Sequence, residues 1–241
     1  MADRLSLKRE LMELIAVHKE GFAAGTPAAQ RIDALIDELT PLTPYPRALD
    51  HPDKFKGHWK GSFFNLGKLV GGAEAMNQGV GKTMSLKVYS MGRLPDIPAT
   101  LLGSGLEIDP ATGAYNFVSH YTVGVNKVPV YHCALANFER REENPDRFFV
   151  EFSAFKVVPT DASMTPEQFA AAVGADNAAQ MSAELNPRPK LWSHVVYMDD
   201  DIRIQLGQLG GHYVLTRTDL PMYSIEYWKD KRIAPPPLAA E

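Results

Sequence analysis

The 241-residue sequence predicts a mainly β protein: an antiparallel barrel with an N-terminal helical hairpin and one short inserted helix. Apolar residues recur at three- and four-residue intervals before residue 40, and the period changes to two from Phe55 onward. The alternating segments follow one another through short turns, with few helical residues between them. Sheets connected in this way are antiparallel, and closing them into a barrel removes their exposed edges.

Residues 1–46 are predicted to form a helical hairpin cap and a proline connector. In the first helix, Leu11 and Ile15 lie on one apolar face at helical spacing. Thr26 followed by Pro27 is typical of an N-cap and a first helical residue, so a second helix is expected to begin there. Prolines at positions 41, 44 and 46 end this helix and stiffen the chain that follows.

The barrel is predicted for residues 55–218, where short alternating segments are separated by turns. Val130–Phe138 alternates, Glu142–Asp146 has the composition of a turn, and Phe148–Val157 alternates again, which predicts a β-hairpin. Further alternating segments are Met84–Met91, Tyr115–Val123, Ser193–Met198, Ile202–Leu206 and His212–Arg217. One inserted helix is expected at Thr165–Gln168, which has the spacing of a capping box.

Residues 219–241 are predicted to be a C-terminal extension and tail. Within them, Met222–Arg232 is aromatic and basic, and its alternation favours an added edge strand. The same residues also suit an interfacial membrane anchor, with Trp228 at headgroup depth and the basic side chains on anionic lipid. The anchor predicts that a chain ending at Leu220 floats less well with liposomes, and unchanged flotation would exclude it.

Composition and charge exclude several classes of protein. The chain has 25 Lys and Arg against 29 Asp and Glu, a net charge of -4, so no basic excess exists to bind nucleic acid. Its single cysteine, Cys133, forms no internal disulfide. The N-terminus is charged where a signal peptide is apolar, and no segment approaches the roughly 18 apolar residues of a membrane span. We expect a cytoplasmic protein without a signal or transit peptide, with peripheral contact to a membrane left open.

Three sequence features resemble known sites but have the wrong spacing. Gly79–Thr83 lacks the earlier glycine that a P-loop needs to surround phosphate. Asp199–Asp201 lacks the alternating oxygen ligands and the glycine of a calcium loop, and a solvated hairpin turn fits it better. The histidines of the predicted strands form no closely spaced metal-binding pair. The sequence therefore predicts no metal and no cofactor.

Gly57, Trp59 and Arg217 are expected to close one end of the barrel. A small residue followed two positions later by a large aromatic residue allows a loop to pack over the end of the first strand. Arg217 falls near the end of the last regular strand, so its guanidinium is expected to lie on the Trp59 indole. Such a cation–π contact is worth about 0.5–2 kcal/mol.

Aromatic and polar side chains of the strands are candidates for lining a ligand cavity. A barrel of about eight strands holds either packed side chains or one small ligand. Large rings mixed with a few polar groups suit an apolar cavity that orients its ligand. On this ground the candidate ligand-binding residues are Tyr115, Phe117, His120, Tyr121, Tyr131, His132, Phe152 and Tyr213. Rings that simply fill the core explain any one of these positions equally well.

A characteristic order of segments follows the helical hairpin: Pro41–Pro46, Phe55–Trp59, Val196–Gly207 and Gly210–Arg217. In this order the chain resembles the plastid lipid-associated protein family, also called the PAP/fibrillin family, over about residues 5–218. The resemblance implies a lipocalin-like barrel that carries hydrophobic molecules such as carotenoids, quinones or fatty acids and associates with lipid globules and membranes. The segments that carry it add Tyr197 and Arg203 to the candidate ligand-binding residues.

The leading hypothesis is a lipocalin-like carrier of a small hydrophobic molecule, with no chemistry of its own. The hairpin cap and the glycine-rich loop Leu66–Lys82 would control ligand access. The alternative is an isomerase, cyclase or hydratase for a lipid-like or polyketide substrate, with His120 and Tyr121, or His132 and Tyr131, as acid and base. A third class is a coat protein on a lipid surface, with a filled cavity and an exposed apolar patch.

Overall fold

A computed structural model describes residues 3–18, 26–64, 81–208 and 210–219. Its helices are α1 (Arg4–Val17), α2 (Pro27–Leu39), α3 (Pro52–Phe55), α4 (Leu86–Tyr89) and α5 (Pro166–Val173). Its strands are β1 (Gly57–Phe64), β2 (Thr83–Ser85), β3 (Pro98–Asp109), β4 (Ala114–Val123), β5 (Val128–Arg140), β6 (Arg147–Pro159), β7 (Ser182–Glu184), β8 (Lys190–Met198), β9 (Ile202–Gly207) and β10 (His212–Thr218). The predicted glycine-rich loop, apart from Gly81 and Lys82, and the extension from Leu220 onward lie outside the described residues.

The strands form a closed antiparallel barrel. Neighbours follow the order β1-β10-β9-β8-β6-β5-β4-β3, and β1 also pairs with β3, which joins the first strand of the ring to the last. His58 marks the join, because it lies opposite Thr218 of β10 and opposite Glu107 of β3. The two short strands, β2 and β7, pair with the remaining lengths of β3 and β6. The predicted barrel with an N-terminal helical hairpin is confirmed.

Two segments before β4 differ from the sequence prediction. Met84–Met91, predicted as a strand, is a three-residue strand followed by α4, which begins because Ser85 Oγ accepts a hydrogen bond of 3.1 Å from Lys87 N. Strand β3 was not predicted, because Gly103 and Gly105 interrupt its apolar alternation. Gly105 has a structural reason: a Cβ there would lie 2.7 Å from the carbonyl oxygen of Trp59, so β1 approaches β3 only over a glycine.

The helical hairpin packs on the outer face of the barrel. The second helix begins at the predicted cap, where Thr26 accepts from Ala29 N, and the first begins at Asp3, which accepts from Leu5 N. The apolar faces of α1 and α2 form one buried cluster with side chains of β1, β8, β9 and β10, including Tyr197. The hairpin therefore covers the side of the barrel, whereas a cap would lie across one of its ends.

The walls of β4, β5 and β6 are apolar on both faces. Side chains that point inward, such as Phe117 and Phe155, belong to the main core. The residues between them point outward and form a separate buried cluster, which contains Val118, Cys133, Leu135 and Ala154 with Tyr131 packed against it. A strand wall with two buried faces needs a second layer of protein or ligand to cover the outer one.

The chain between β6 and β7 supplies part of that layer. Helix α5 begins at the predicted capping box: Thr165 Oγ1 accepts from Gln168 N, and Gln168 Oε1 accepts from Thr165 N. It ends at Gly174, whose φ of 84° is the left-handed conformation that favours glycine. The Asn126 side chain, in the turn after β4, donates to the carbonyl of Ala172 at 2.8 Å and fixes the helix against the barrel.

Candidate functional site

The predicted cavity residues divide between the two faces of the barrel wall. Seven of them lie on the inner face, with the main core or among its rings: Tyr115, Phe117, Tyr121, His132, Phe152, Arg203 and Tyr213. The other three lie on the outer face. Tyr197 is buried under the helical hairpin, and Tyr131 packs on the outer cluster of β4–β6, with His120 beside it at a ring distance of 5.2 Å. Adjacent strand residues point to opposite sides, so one barrel face could not hold them all.

The barrel interior is packed with its own rings. Tyr115 lies 5.5 Å from Phe148, and Phe117 lies 6.3 Å from Phe152 and 6.4 Å from Tyr213, measured between ring centroids. A void of about 40 Å³ borders Tyr115, Phe117 and Tyr213. That volume holds a few water molecules at most and is far below the roughly 300 Å³ of the smallest ordinary ligand pockets.

Arg203 is a buried cation surrounded by aromatic rings. Its guanidinium carbon lies 4.9 Å from the ring centroid of Phe55, 5.1 Å from that of Trp59 and 5.9 Å from that of Tyr115. Burial lowers the pKa of Arg203 to about 10, and the nearby Tyr115 hydroxyl opposes this shift in part. The ring faces offset part of the cost of burying the charge, so this end of the barrel is held by cation–π contacts.

The predicted closure residues meet at the same end. The Arg217 guanidinium lies 4.2 Å from the Trp59 ring centroid, and it donates hydrogen bonds to the carbonyls of Lys56, Lys54 and Asp200. Trp59 Nε1 donates to the carbonyl of Phe55 at 3.0 Å, which ties β1 to α3. Arg217 therefore joins the last strand to the chain segment that lies across the barrel end.

The two proposed acid–base pairs are separated by the strand geometry. His120 and Tyr121 are consecutive and face opposite sides of β4, and Tyr131 and His132 do the same on β5. Tyr121 and His132 do share the interior, with ring centroids 5.8 Å apart. Burial lowers the pKa of His132 to about 4 and raises that of Tyr121, so both move away from the range that suits proton transfer near neutral pH.

The turn Asp199–Asp201 is more than a solvated loop. Asp199 is buried and accepts hydrogen bonds of 2.8 Å each from Lys8 Nζ and Tyr197 Oη, as well as from the backbone N–H of Asp201 and Ile202. Burial acts to raise the pKa of Asp199, but these donors hold it below its ordinary value. This carboxylate fixes α1 to the β8–β9 turn, whereas the other two acidic side chains of the turn are exposed, as predicted.

A ligand-sized groove lies on the outer face of β4–β6, under residues 160–182. Its volume is about 570 Å³. The side chains that line it are mostly apolar and include Val118, Tyr131, Cys133, Phe169, Ala178 and Met181. Sequence reasoning missed this groove, although the outward apolar residues of three successive strands are a signal that something covers that face.

No cluster of three or more His, Cys, Asp or Glu side chains among the described residues has the geometry to hold a metal ion. No helix in the described ranges is both long enough and apolar enough to cross a bilayer.

Comparisons with known proteins point to one family. The PAP_fibrillin family model matches residues 5–68. A relative from Arabidopsis thaliana, described as "Probable plastid-lipid-associated protein 3, chloroplastic", is 24% identical over 239 residues, which cover 88% of this chain. The chain spans 57% of the length of that relative. Together with a closed lipocalin-like barrel preceded by the helical hairpin, these matches show that the chain is similar to the PAP/fibrillin family, as its sequence predicts.

Proposed function

We propose that this protein binds one hydrophobic, lipid-like molecule in the groove between the outer face of β4–β6 and residues 160–182. The observation that carries the proposal is the size of the groove, about 570 Å³, together with its apolar lining. Ligand pockets commonly measure roughly 300–1,000 Å³ and are lined by apolar side chains with a few polar groups. We retain the carrier function that the sequence predicts, but we place the ligand on the outer face of the barrel wall and not in the barrel interior.

The packing of the interior supports this choice of site. The void beside Tyr115, Phe117 and Tyr213 measures about 40 Å³, so a ligand would enter there only by displacing packed rings. Displacing a buried aromatic side chain costs several kcal/mol, on the order of 3–5 for complete removal. The groove takes a ligand without that cost, because it is already open in the folded chain.

The setting of the proposed function is a lipid surface. The name of the Arabidopsis relative associates that protein with plastid lipid, and we extend the association to this chain. A plastid lipid surface therefore replaces the cytoplasm as the proposed location. Residues 222–232, predicted as an added edge strand or alternatively as a membrane anchor, lie outside the described residues, and their role stays a prediction.

Substitutions of two neighbouring alanines test whether the ligand binds in the groove. Ala178 is half-buried and lines the groove, whereas Ala179 is exposed on the same short helical segment. Ala178→Phe should fill the groove and weaken the binding of decanol, measured by titration calorimetry, by roughly tenfold or more, since it removes contact with several methylene groups. Ala179→Phe adds the same ring outside the groove and should bind decanol like the native chain.

The outcome that contradicts the proposal is equally specific. If the Ala178→Phe variant binds decanol with native affinity, the groove is not the binding site, and the barrel interior becomes the candidate site. Both variants should unfold at native-like denaturant concentrations, because neither ring has to enter the core.

A further inference from the structure

We propose that the small void inside the barrel binds one monovalent anion, of the size of chloride or nitrate, at the end of a chain of hydrogen bonds that begins at Arg203. This second site is independent of the groove on the outer face. Three observations on the described residues carry the proposal: a buried cation that no carboxylate neutralises, hydrogen bonds whose direction that cation fixes, and a void where those bonds end.

Arg203 brings a positive charge into the barrel. The side chain is fully buried, and although burial lowers its pKa to about 10, the guanidinium stays protonated at pH 7. Within the described ranges the groups whose charges act on it are Tyr115 and Arg217, and neither is a carboxylate. Burial raises the pKa of Tyr115, so its phenol stays neutral. An anion that enters the interior is therefore attracted by a charge that nothing else there compensates.

The charge of Arg203 fixes the direction of the hydrogen bonds that lead away from it. A guanidinium has only N–H donors, so the Tyr115 hydroxyl turns its oxygen toward Arg203 and its hydrogen away. Tyr115 Oη accordingly donates to Gln205 Oε1 at 2.7 Å. Because this bond engages the amide oxygen, Gln205 donates through Nε2 to Ser193 Oγ at 3.0 Å. The Ser193 oxygen accepts that bond, and its hydrogen points away from Gln205 to donate to a further acceptor.

The chain of hydrogen bonds ends at the void, which Ser193 and Gln205 both line. Gln208 also lines it, and its Oε1 accepts from Trp192 N at 3.0 Å, so the Gln208 amide keeps its NH₂ group as a second donor. The described residues around the void include no Asp or Glu, so no carboxylate among them repels an anion. Gln208 is exposed, which gives an ion access from solvent.

The size of the void selects a compact, singly charged ion. A volume of about 40 Å³ exceeds the roughly 10–15 Å³ that one water-sized sphere needs, but it is too small for an alkyl chain. A sulfate or phosphate ion carries more negative charge than Arg203 balances, and the excess would be buried beside Phe117 and Phe152. Water also fits, but it carries no net charge for Arg203 to attract.

Chloride NMR on the full chain measures this binding in solution. The native chain should broaden the chloride resonance in a saturable way that bromide and nitrate reverse. Ser193→Ala removes the last donor and should weaken chloride binding by roughly tenfold. Arg203→Met removes the charge, keeps an apolar stem and should abolish the binding. Ser153→Ala is the matched control with native affinity, because Ser153 Oγ donates to the carbonyl of Leu135 and does not line the void.

Anomalous diffraction from bromide-soaked crystals locates the ion, with a peak expected within hydrogen-bond distance of Ser193 Oγ. A native chain that leaves the chloride resonance narrow would show that the void takes water alone, and would overturn the proposal. Chloride binding that survives both Ser193→Ala and Arg203→Met would place the ion elsewhere and overturn it as well. If Arg203→Met does not fold, the comparison of Ser193→Ala with Ser153→Ala still decides, since each removes a single hydroxyl group.

Discussion

At the scale of single residues, His132 shows what the packed interior does to a titratable group. The imidazole lies against Phe155, with ring centroids 5.5 Å apart and the planes nearly parallel, and against the edge of Tyr121. Burial lowers the pKa of His132 to about 4 from an ordinary value of 6.5. The folded protein therefore keeps this side chain neutral at a pH where the unfolded chain protonates it.

This difference in the protonation of His132 between the folded and unfolded chains predicts a loss of stability in acid. As the pH falls from 7 to 5, the unfolded chain gains a proton that the folded chain does not bind, so the native protein loses about 2 kcal/mol of unfolding free energy through His132. The stability that depends on a neutral His132 is present above pH 6.5, and it is lost as the pH falls from 6.5 to 4. His132→Leu should remove it, and urea unfolding at pH 7 and pH 5 measures the difference.

The outcome that counts against this account is a His132→Leu variant whose stability falls between pH 7 and pH 5 as steeply as that of the native chain. Other titrating groups contribute equally to both proteins, so they cancel in the comparison. A native-like slope would mean that the His132 imidazole is protonated in the folded state and that water reaches the interior.

Residue positions show how far the sequence could predict the site. Tyr115, Phe117 and Phe152, which the sequence named as cavity candidates, do face inward, and period-two alternation explains why, because a strand fixes which face each residue occupies. The same rule places His120 and Tyr131 outside, but the sequence does not say which set faces the barrel axis until the register is known. The filling of the interior depends on distances between strands, and the sequence pattern carries no information about those distances.

At the scale of elements, the β8–β9 turn fixes the helical hairpin through one carboxylate. Asp199→Ala should lower the unfolding free energy by about 2–4 kcal/mol, because it leaves Tyr197 Oη and two backbone N–H groups without their buried acceptor. The measurement is the urea midpoint at neutral pH, with circular dichroism as the probe. Lys8 keeps its second partner, Asp201, in this variant.

The next residue of the turn is the matched control. Asp200 is exposed and pairs with Lys54 and Tyr45 at the surface, so Asp200→Ala should cost less than about 1 kcal/mol. Equal losses for the two substitutions would contradict the structural role given to Asp199.

Elements with a local signal were predictable, and elements that depend on tertiary contacts were not. The starts of α1, α2 and α5 follow from side chains that cap their own first turn. The length of β3 does not follow from such a local signal. Its glycines are explained only by the neighbouring strand β1, because Gly105 lies against the backbone of Trp59. Helix α4 was missed for a similar reason: Met84, Leu86 and Val88 alternate as in a strand, whereas the contacts of Leu86 and Tyr89 with the barrel core are tertiary.

At the scale of the whole molecule, the barrel is a scaffold with two covered outer faces. The helical hairpin covers β8, β9, β10 and part of β1. Residues 160–182 cover β4–β6 and leave the groove between the two layers. The sequence predicted the barrel and the apolar character of its strands, but the groove exists only where a chain excursion of some twenty residues lies against a wall, which no local pattern reveals.

Photo-crosslinking distinguishes a ligand bound in the groove from one bound inside the barrel. A decanol analogue with a diazirine on its chain would be irradiated with the native protein, and the labelled peptides identified by mass spectrometry. A ligand in the groove should place the label on residues 160–182, which lie over it. Label confined to β9 and β10, whose inward side chains Arg203, Gln205 and Tyr213 belong to the barrel interior, would contradict binding in the groove.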